Sequence, residues 1–318
     1  MRDGSIDSAV AFIIGSPRSG TTILSEVLDR HPEVAQWYEP YFVWAFHLDL
    51  KDTDVREAWE ASPRVTRFVR REFRYFKERS GKRIVIEKAP DHSFRIPFIQ
   101  AVFPEARWIH ILRDGRDVTL SIYKEWERRR RIVEKKDYAL LYKVAKTMIK
   151  RQPFWRHRVM ALYYEARHMA QLRPGAIFNK AKWKGQVGWG PRFEGWHDVL
   201  EKNSILRFNA YQWLKSVEGV QEGLASVPNA KAIEIRYEDF ITRPKEVLQG
   251  LFDFLGVSYP EGLIEKIPPL KANNFNKWRK EFKAGQIREI GPVLTEKLIE
   301  LGYEEDPRWF EKAALEGA

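Results

Sequence analysis

Two stretches of this chain have the residue types and spacing of anion-binding loops. The first is Gly15-Ser16-Pro17-Arg18-Ser19-Gly20-Thr21-Thr22. It follows the apolar run Ala9-Val10-Ala11-Phe12-Ile13-Ile14 and precedes a segment with apolar residues at Ile23, Leu24, Val27 and Leu28. Strand, glycine-bounded turn and helix in that order aim backbone N–H groups and a helix N-terminus at one spot, which favours an anion there. The spacing nearly fits the nucleotide pattern GxxxxGK[ST], but Thr21 fills the lysine slot and the loop's one basic side chain is Arg18. Kinases and GTPases of that pattern use the lysine on the β- and γ-phosphates. Its absence speaks against a P-loop kinase of small molecules or polynucleotides, which stays open as an alternative. The second stretch is Leu112-Arg113-Asp114-Gly115-Arg116-Asp117-Val118-Thr119-Leu120-Ser121. A turn at Gly115 leads into a helix that Asp117 is expected to cap. The Arg113 guanidinium and the Ser121 hydroxyl then make a phosphate clamp.

These loops need a scaffold. Besides the run before Gly15, buried strands are expected at Arg83–Glu87, Arg107–Leu112 and Ala232–Tyr237. Helical periodicity marks Gly20–Arg30, Val55–Arg79, Phe94–Phe103, Asp117–Arg131, Tyr138–Leu172, Ile205–Ser226, Lys245–Leu255 and Pro292–Leu301. Strands alternating with helices imply right-handed βαβ units. The expected fold class is α/β, a three-layer P-loop-type fold whose central parallel sheet is flanked by helices. Ligands of such sheets bind beyond the strand C-termini, where both loops lie. The expectation is one domain over 1–318 with a helical and irregular insertion at about 132–203. Within it Trp183, Trp189, Phe193 and Trp196 stand among glycines, either to stack on an acceptor or simply to pack.

The chain has 318 residues, 44% hydrophobic and 14% aromatic, enough for a sizeable core. It has no cysteine, which excludes disulfides, thiol catalysis and Cys-ligated zinc. The apolar run near the N-terminus is too short for a signal peptide or a spanning helix, so a cytoplasmic location is expected. The net charge of +11 draws anions. It also keeps a non-enzymatic nucleic-acid-binding protein in view, although no recognition motif supports one. Arg128-Arg129-Arg130-Arg131 reads either as a solvated helix end or as a docking patch for an acidic acceptor.

The two loops together resemble the sulfotransferases that use 3′-phosphoadenosine 5′-phosphosulfate, and among them the tyrosylprotein sulfotransferases and similar bacterial enzymes. The first loop is similar to their 5′-phosphosulfate loop. The second is similar to their 3′-phosphate segment, including the eight-residue step from Arg113 to Ser121. The likeness continues in Arg236-Tyr237-Glu238-Asp239, Phe254-Leu255-Gly256 and Lys277-Trp278. It implies a donor site of Ser16, Pro17, Arg18, Ser19, Gly20, Thr21, Thr22, Arg113, Ser121, Tyr237 and Lys277. Glu39, twenty-one residues after Arg18, matches the family's catalytic glutamate. Trp37, Tyr38 and Tyr41 are placed beside it to desolvate its carboxylate. Lys88 matches the transition-state lysine, with Arg18 beside it. His92 is the rival base, although other members space the pair Lys-x-His and this chain holds Pro90 there. The implied reaction needs no metal and releases adenosine 3′,5′-bisphosphate. The implied partner is a hydroxyl-bearing acceptor: a carbohydrate, lipid, phenol or tyrosine, an acidic one included. Nucleic acid is not expected, membrane contact is left open, and the oligomeric state is not read.

Overall fold

The computed structural model of the chain describes residues 6–46, 48, 51–135, 146, 147, 149–171, 183, 188–267, 270 and 274–316. Five strands form one parallel sheet: β1 (Val10–Ile14), β2 (Val34–Tyr38), β3 (Ile84–Lys88), β4 (Arg107–Leu112) and β5 (Ala232–Arg236). Their order is β2-β3-β1-β4-β5. The chain leaves β1 for one edge and later crosses to start β4 on the other side of β1. Loops that diverge at such a switch point open a crevice over the sheet. The register pairs Ile13 with Lys88, Tyr38 with Lys88, and Leu112 with Arg236. Gly15, Glu39, Lys88, Arg113 and Tyr237 therefore leave the sheet at one edge.

Helices cover both faces, which is why the central strands read as unbroken apolar runs. Phe12, Val85 and Trp108 face one way, onto Val69 and Phe73 of the helix Pro63–Ser80 and onto Phe98 and Val102 of the helix Ile96–Val102. Ala11, Ile13, Ile86 and Ile111 face the other, onto Leu24, Val27 and Leu28 of the helix Thr21–Leu28 and onto Leu251 and Phe252 of the helix Pro244–Leu255. A third core gathers the helices Gly115–Glu134, Ile205–Leu224 and Ala284–Glu300 around Trp126, Trp213 and Trp278.

Four expectations are corrected. The strand β2 was not anticipated, because Gln36 interrupts its apolar pattern and as an edge strand it is only partly buried. The helix expected at Val55–Arg79 starts at Pro63, behind Ser62, whose hydroxyl accepts from the Val65 N–H at 3.4 Å. The helix expected at Pro292–Leu301 runs over Ala284–Glu300 and carries Pro292 inside it. Of the segment expected at Tyr138–Leu172, residues 138–145, 148 and 172 lie outside the described residues, and the helix seen is Trp155–Gln171.

Candidate active site

The first loop is shaped by contacts that only glycine permits. A Cβ on Gly15 would stand 2.5 Å from the Ile111 carbonyl oxygen, and one on Gly20 would stand 2.5 Å from the Tyr237 ring. Gly20 also has a φ of 104°, which side chains rarely adopt. Ser19 donates to the Ser16 carbonyl at 2.7 Å, and Ser93 donates to the Gly15 carbonyl at 3.0 Å. Ser16 and Ser19 are thus buried behind the loop and fix its turn. Pro17, Arg18, Gly20, Thr21 and Thr22 line a cleft of about 930 Å³. The helix Thr21–Leu28 has no side-chain cap, so its first N–H groups are left for whatever enters there.

The second loop closes over the first. Arg113 donates to the carbonyl of Arg18 at 3.0 Å and to that of Asn274 at 2.6 Å. Its guanidinium lies 4.3 Å from the Tyr237 ring centroid, and its buried Nε has no hydrogen-bond partner. Arg18 Nε donates to Ser121 at 3.0 Å, so the loop cation and the clamp hydroxyl meet directly. Asp117 does not cap its helix. Asp114 does, accepting from the Arg116 N–H at 2.8 Å. Asp117 instead accepts the N–H groups of Asn276 at 2.6 Å and Trp278 at 3.1 Å, and so holds the turn that brings Lys277 to the cleft. Burial pushes its carboxyl up, against the pull of Arg113. Asn274 donates to the Tyr237 hydroxyl at 2.6 Å, joining that turn to the strand β5 end.

Lys88 and Glu39 form a direct ion pair in the cleft wall, both largely buried. The Lys88 ammonium also sits 4.8 Å from the Tyr38 ring centroid, and Arg151 sits 4.1 Å from the same ring. Arg18, Glu39 and Asn276 are the non-glycine residues with positive φ among those described, at 70°, 43° and 58°. Strained backbone costs about 1–3 kcal/mol per residue and persists where surrounding structure imposes it. Here all three positions lie in the loops around one cleft.

Of the three aromatic residues expected around Glu39, Tyr38 lines the cleft with it and Tyr41 lies within reach of its charge, but Trp37 does not. Trp37 alternates to the far face of β2, stacks on Phe76 and His157, and donates to Gln152 at 3.0 Å. Desolvation, with Glu39 next, pushes the Tyr41 phenol up. His92 is not brought to the cleft. It is fully buried, paired with the equally buried Glu87 and packed edge-on against Phe12 and Trp44. Lys88 points the other way from Glu87 because neighbouring strand residues alternate faces. A base cannot reach an acceptor from that core position.

Trp183, Phe193 and Trp196 are likewise core residues, packed with Phe208. Trp189 alone of the four lines the cleft, with Arg18 at 6.0 Å and Arg129 at 5.8 Å from its ring. The arginine run divides. Arg128 and Arg129 line the cleft and share Glu125, while Arg130 turns to Glu127. Asn274, Arg151 and the Asp117 latch were missed, since each depends on residues distant in sequence.

Comparison with known proteins gives the family and the fold. A model of the "Sulfotransferase family" matches residues 11–169 and 192–261. The nodulation protein NoeE of Sinorhizobium fredii is 28% identical over 141 residues, covering 39% of this chain and 33% of that protein. The omega-hydroxy-beta-dihydromenaquinone-9 sulfotransferase Stf3 of Mycobacterium bovis is 29% identical over 165 residues, covering 32% of this chain and 41% of that protein. The matched region thus spans well under half the length of either curated relative. Among solved structures, the sulfotransferase domain from the curacin biosynthetic pathway superposes with a TM-score of 0.53 at 15% identity. It covers 94% of this chain and 98% of its own. The sulfotransferase domain of the Synechococcus PCC 7002 olefin synthase gives 0.51 at 15% identity, over 93% and 95%. These two share the fold.

Proposed function

The chain belongs to the sulfotransferase family, and on that premise we propose that it moves a sulfuryl group from 3′-phosphoadenosine 5′-phosphosulfate to a hydroxyl acceptor. The observation that carries this reading is the Lys88–Glu39 pair in the wall of a cleft that the Gly15–Thr22 loop and Arg113 also line. The residues fit the donor's chemistry. Uncapped helix N–H groups and Arg18 suit a 5′-phosphosulfate. Arg113, with a free buried Nε, and Ser121 suit a 3′-phosphate. Tyr237 and Lys277 complete that side.

In the reaction the acceptor oxygen bonds to sulfur as the bond from sulfur to the bridging phosphate oxygen breaks. Glu39 takes the acceptor's proton. Lys88 and Arg18 stabilise charge growing on the bridging and sulfuryl oxygens, and adenosine 3′,5′-bisphosphate leaves. Before the donor binds, Lys88 neutralises Glu39. The donor's anion competes for that ammonium, and the carboxylate is released to act as base. Catalysis in this scheme is positioning plus charge stabilisation, with no metal-dependent step.

The acceptor side extends from Trp189 and Arg129 to Arg151. We assign the whole of 1–318 to one catalytic unit with an acceptor-side insertion at about 132–203. The family match is interrupted at 170–191, inside that insertion. The name of one relative specifies a hydroxylated menaquinone, which makes a lipid-borne hydroxyl one acceptor class to test. A cytoplasmic location belongs to the same proposal; among the described residues no helix is long and apolar enough to cross a membrane.

Thermal unfolding tests the donor assignment. Adenosine 3′,5′-bisphosphate without added metal should raise the melting temperature, since a ligand at 100 times its Kd adds about 2.7 kcal/mol. Stabilisation by ATP with Mg²⁺ alone would favour the kinase and defeat the proposal. A mass-gain screen of mixed hydroxyl acceptors then identifies the partner.

A further inference from the structure

The helix Trp155–Gln171 carries two apolar faces, and among the described residues only one packs into the fold. His157, Met160, Ala161 and Tyr164 pack inward against the core under β2. Trp155, Val159, Leu162 and Tyr163 follow the spacing i, i+4, i+7, i+8, which puts them on one stripe. That stripe faces outward, with exposures of 72%, 56%, 56% and 67%. Exposed large apolar residues scattered singly are ordinary, but four on one stripe mark an interaction surface.

The charge around the stripe indicates what it meets. Residues 146–171 contain six basic residues, Lys146, Lys150, Arg151, Arg156, Arg158 and Arg167, against one acidic residue, Glu165. On the helix, Arg156 and Arg158 fall on opposite flanks of the stripe. Arg158 is exposed, and the Arg156 side chain is 38% exposed although it bonds to Glu72. A protein partner of matching shape would need acidic groups along both flanks of an apolar core. An anionic bilayer supplies both at once, acyl chains for the stripe and phosphates for its edges. Tryptophan and tyrosine on such a stripe suit the depth where hydrocarbon meets headgroups.

We propose that this face docks the enzyme on an anionic membrane surface. The same segment reaches the cleft, because Thr147 and Arg151 line it. Docking here would hold the cleft mouth close to the lipid plane, so the acceptor class it selects is a hydroxyl carried by a membrane-resident molecule. The docking claim stands on the surface alone; only the acceptor class rests on the sulfuryl-transfer reading.

The test is flotation of the full chain with vesicles of phosphatidylcholine, and with vesicles rich in phosphatidylglycerol. The intact protein should float with the anionic vesicles and be released by salt. Trp155→Ser combined with Leu162→Ser should lower partitioning at least about tenfold, from the apolar area lost. Circular dichroism and bisphosphate binding should stay as in the parent, which separates lost docking from lost folding. A parent chain that ignores anionic vesicles overturns the proposal, as does a double variant that floats as well as the parent. A parent dimer that the double variant dissolves gives the face to a second copy, and also overturns it. Bisphosphate binding, measured on its own, reports the fate of the donor reading independently of these outcomes.

Discussion

Arg113 and Lys88 line the same cleft, yet opposite kinds of partner hold them. Arg113 is fixed by hydrogen bonds to two backbone carbonyls and by an aromatic ring, with a looser ion pair to Asp117 at 3.8 Å. Arg18 beside it is fixed by the neutral Ser121 hydroxyl. Lys88 is fixed by the Glu39 carboxylate, and Arg128 and Arg129 by Glu125. Neutral partners orient a cation without cancelling its charge, so on the proposed donor side Arg18 keeps its field for an anion and Arg113 keeps most of its own. Carboxylate partners cancel it. On the proposed acceptor side the Lys88–Glu39 pair is balanced, while Arg128 and Arg129 share the single Glu125 and Arg151 rests on the Tyr38 ring, so a reduced positive charge remains there.

This contrast can be broken by substitution. Lys88→Ala should have the largest effect, lowering kcat by on the order of 10²–10³, by analogy with loss of one oxyanion donor. Bisphosphate affinity, read by calorimetry, should change little; an equal fall in affinity would move Lys88 to the donor side. Arg113→Ala should do the reverse. The lost charged hydrogen bonds, about 1.5–3 kcal/mol, should weaken bisphosphate binding roughly 10- to 100-fold, while single-turnover rates at saturating donor change less. Unchanged affinity would misplace the clamp.

Gly20→Ala sharpens the contrast from the backbone side. Its Cβ would meet the Tyr237 ring at a φ side chains rarely adopt, so stability should fall by about 1–3 kcal/mol and bisphosphate binding with it. Gly81, with a φ of 65° and open space around it, is the control. Its alanine variant should lose about 1 kcal/mol and leave binding intact. Tyr237→Phe removes one hydrogen bond from Asn274 and should cost about 0.5–1.5 kcal/mol, seen as a modest loss of bisphosphate affinity.

The smallest effect concerns pH. The hydrogen bond from His110, 2.8 Å away, holds the Glu234 carboxyl below its usual 4.5, partly offset by burial. A depressed carboxylate contributes stability above its unfolded pKa and loses it as pH falls through the folded value. Glu234 is more than half exposed, so solvent screening leaves at most a few tenths of a kcal/mol. Glu234→Gln should flatten denaturation midpoints slightly on the acid side of the carboxylate range. A change in bisphosphate binding would show that the donor side leans on this sheet edge.

Much of the cleft lining that the proposal assigns to the donor was legible in the chain. Gly15, Gly20, Arg18 and Arg113 sit in short contiguous loops after unbroken apolar strands, and both signals are local. Ser121 was readable because helical spacing carries it back toward Arg113. His92 was misread as a rival base because spacing from Lys88 along the chain says nothing of which face of the sheet a side chain takes. Trp183, Phe193 and Trp196 invited the same error, since a tryptophan that stacks on a ligand and one that packs in a core look alike in sequence.

The sequence by itself determined the parallel sheet and the two glycine-bearing loops at its strand ends, because each is written in neighbouring residues whose periodicity and backbone demands need no distant partner. Only the tertiary structure decided that Lys88 neutralises Glu39, that Asp117 latches the turn bearing Lys277, and that one helix turns a second apolar stripe to solvent. Those facts depend on strand order and helix packing. Side chains tens to more than a hundred residues apart meet only after the hydrophobic faces have been buried, and no local pattern records which of them will.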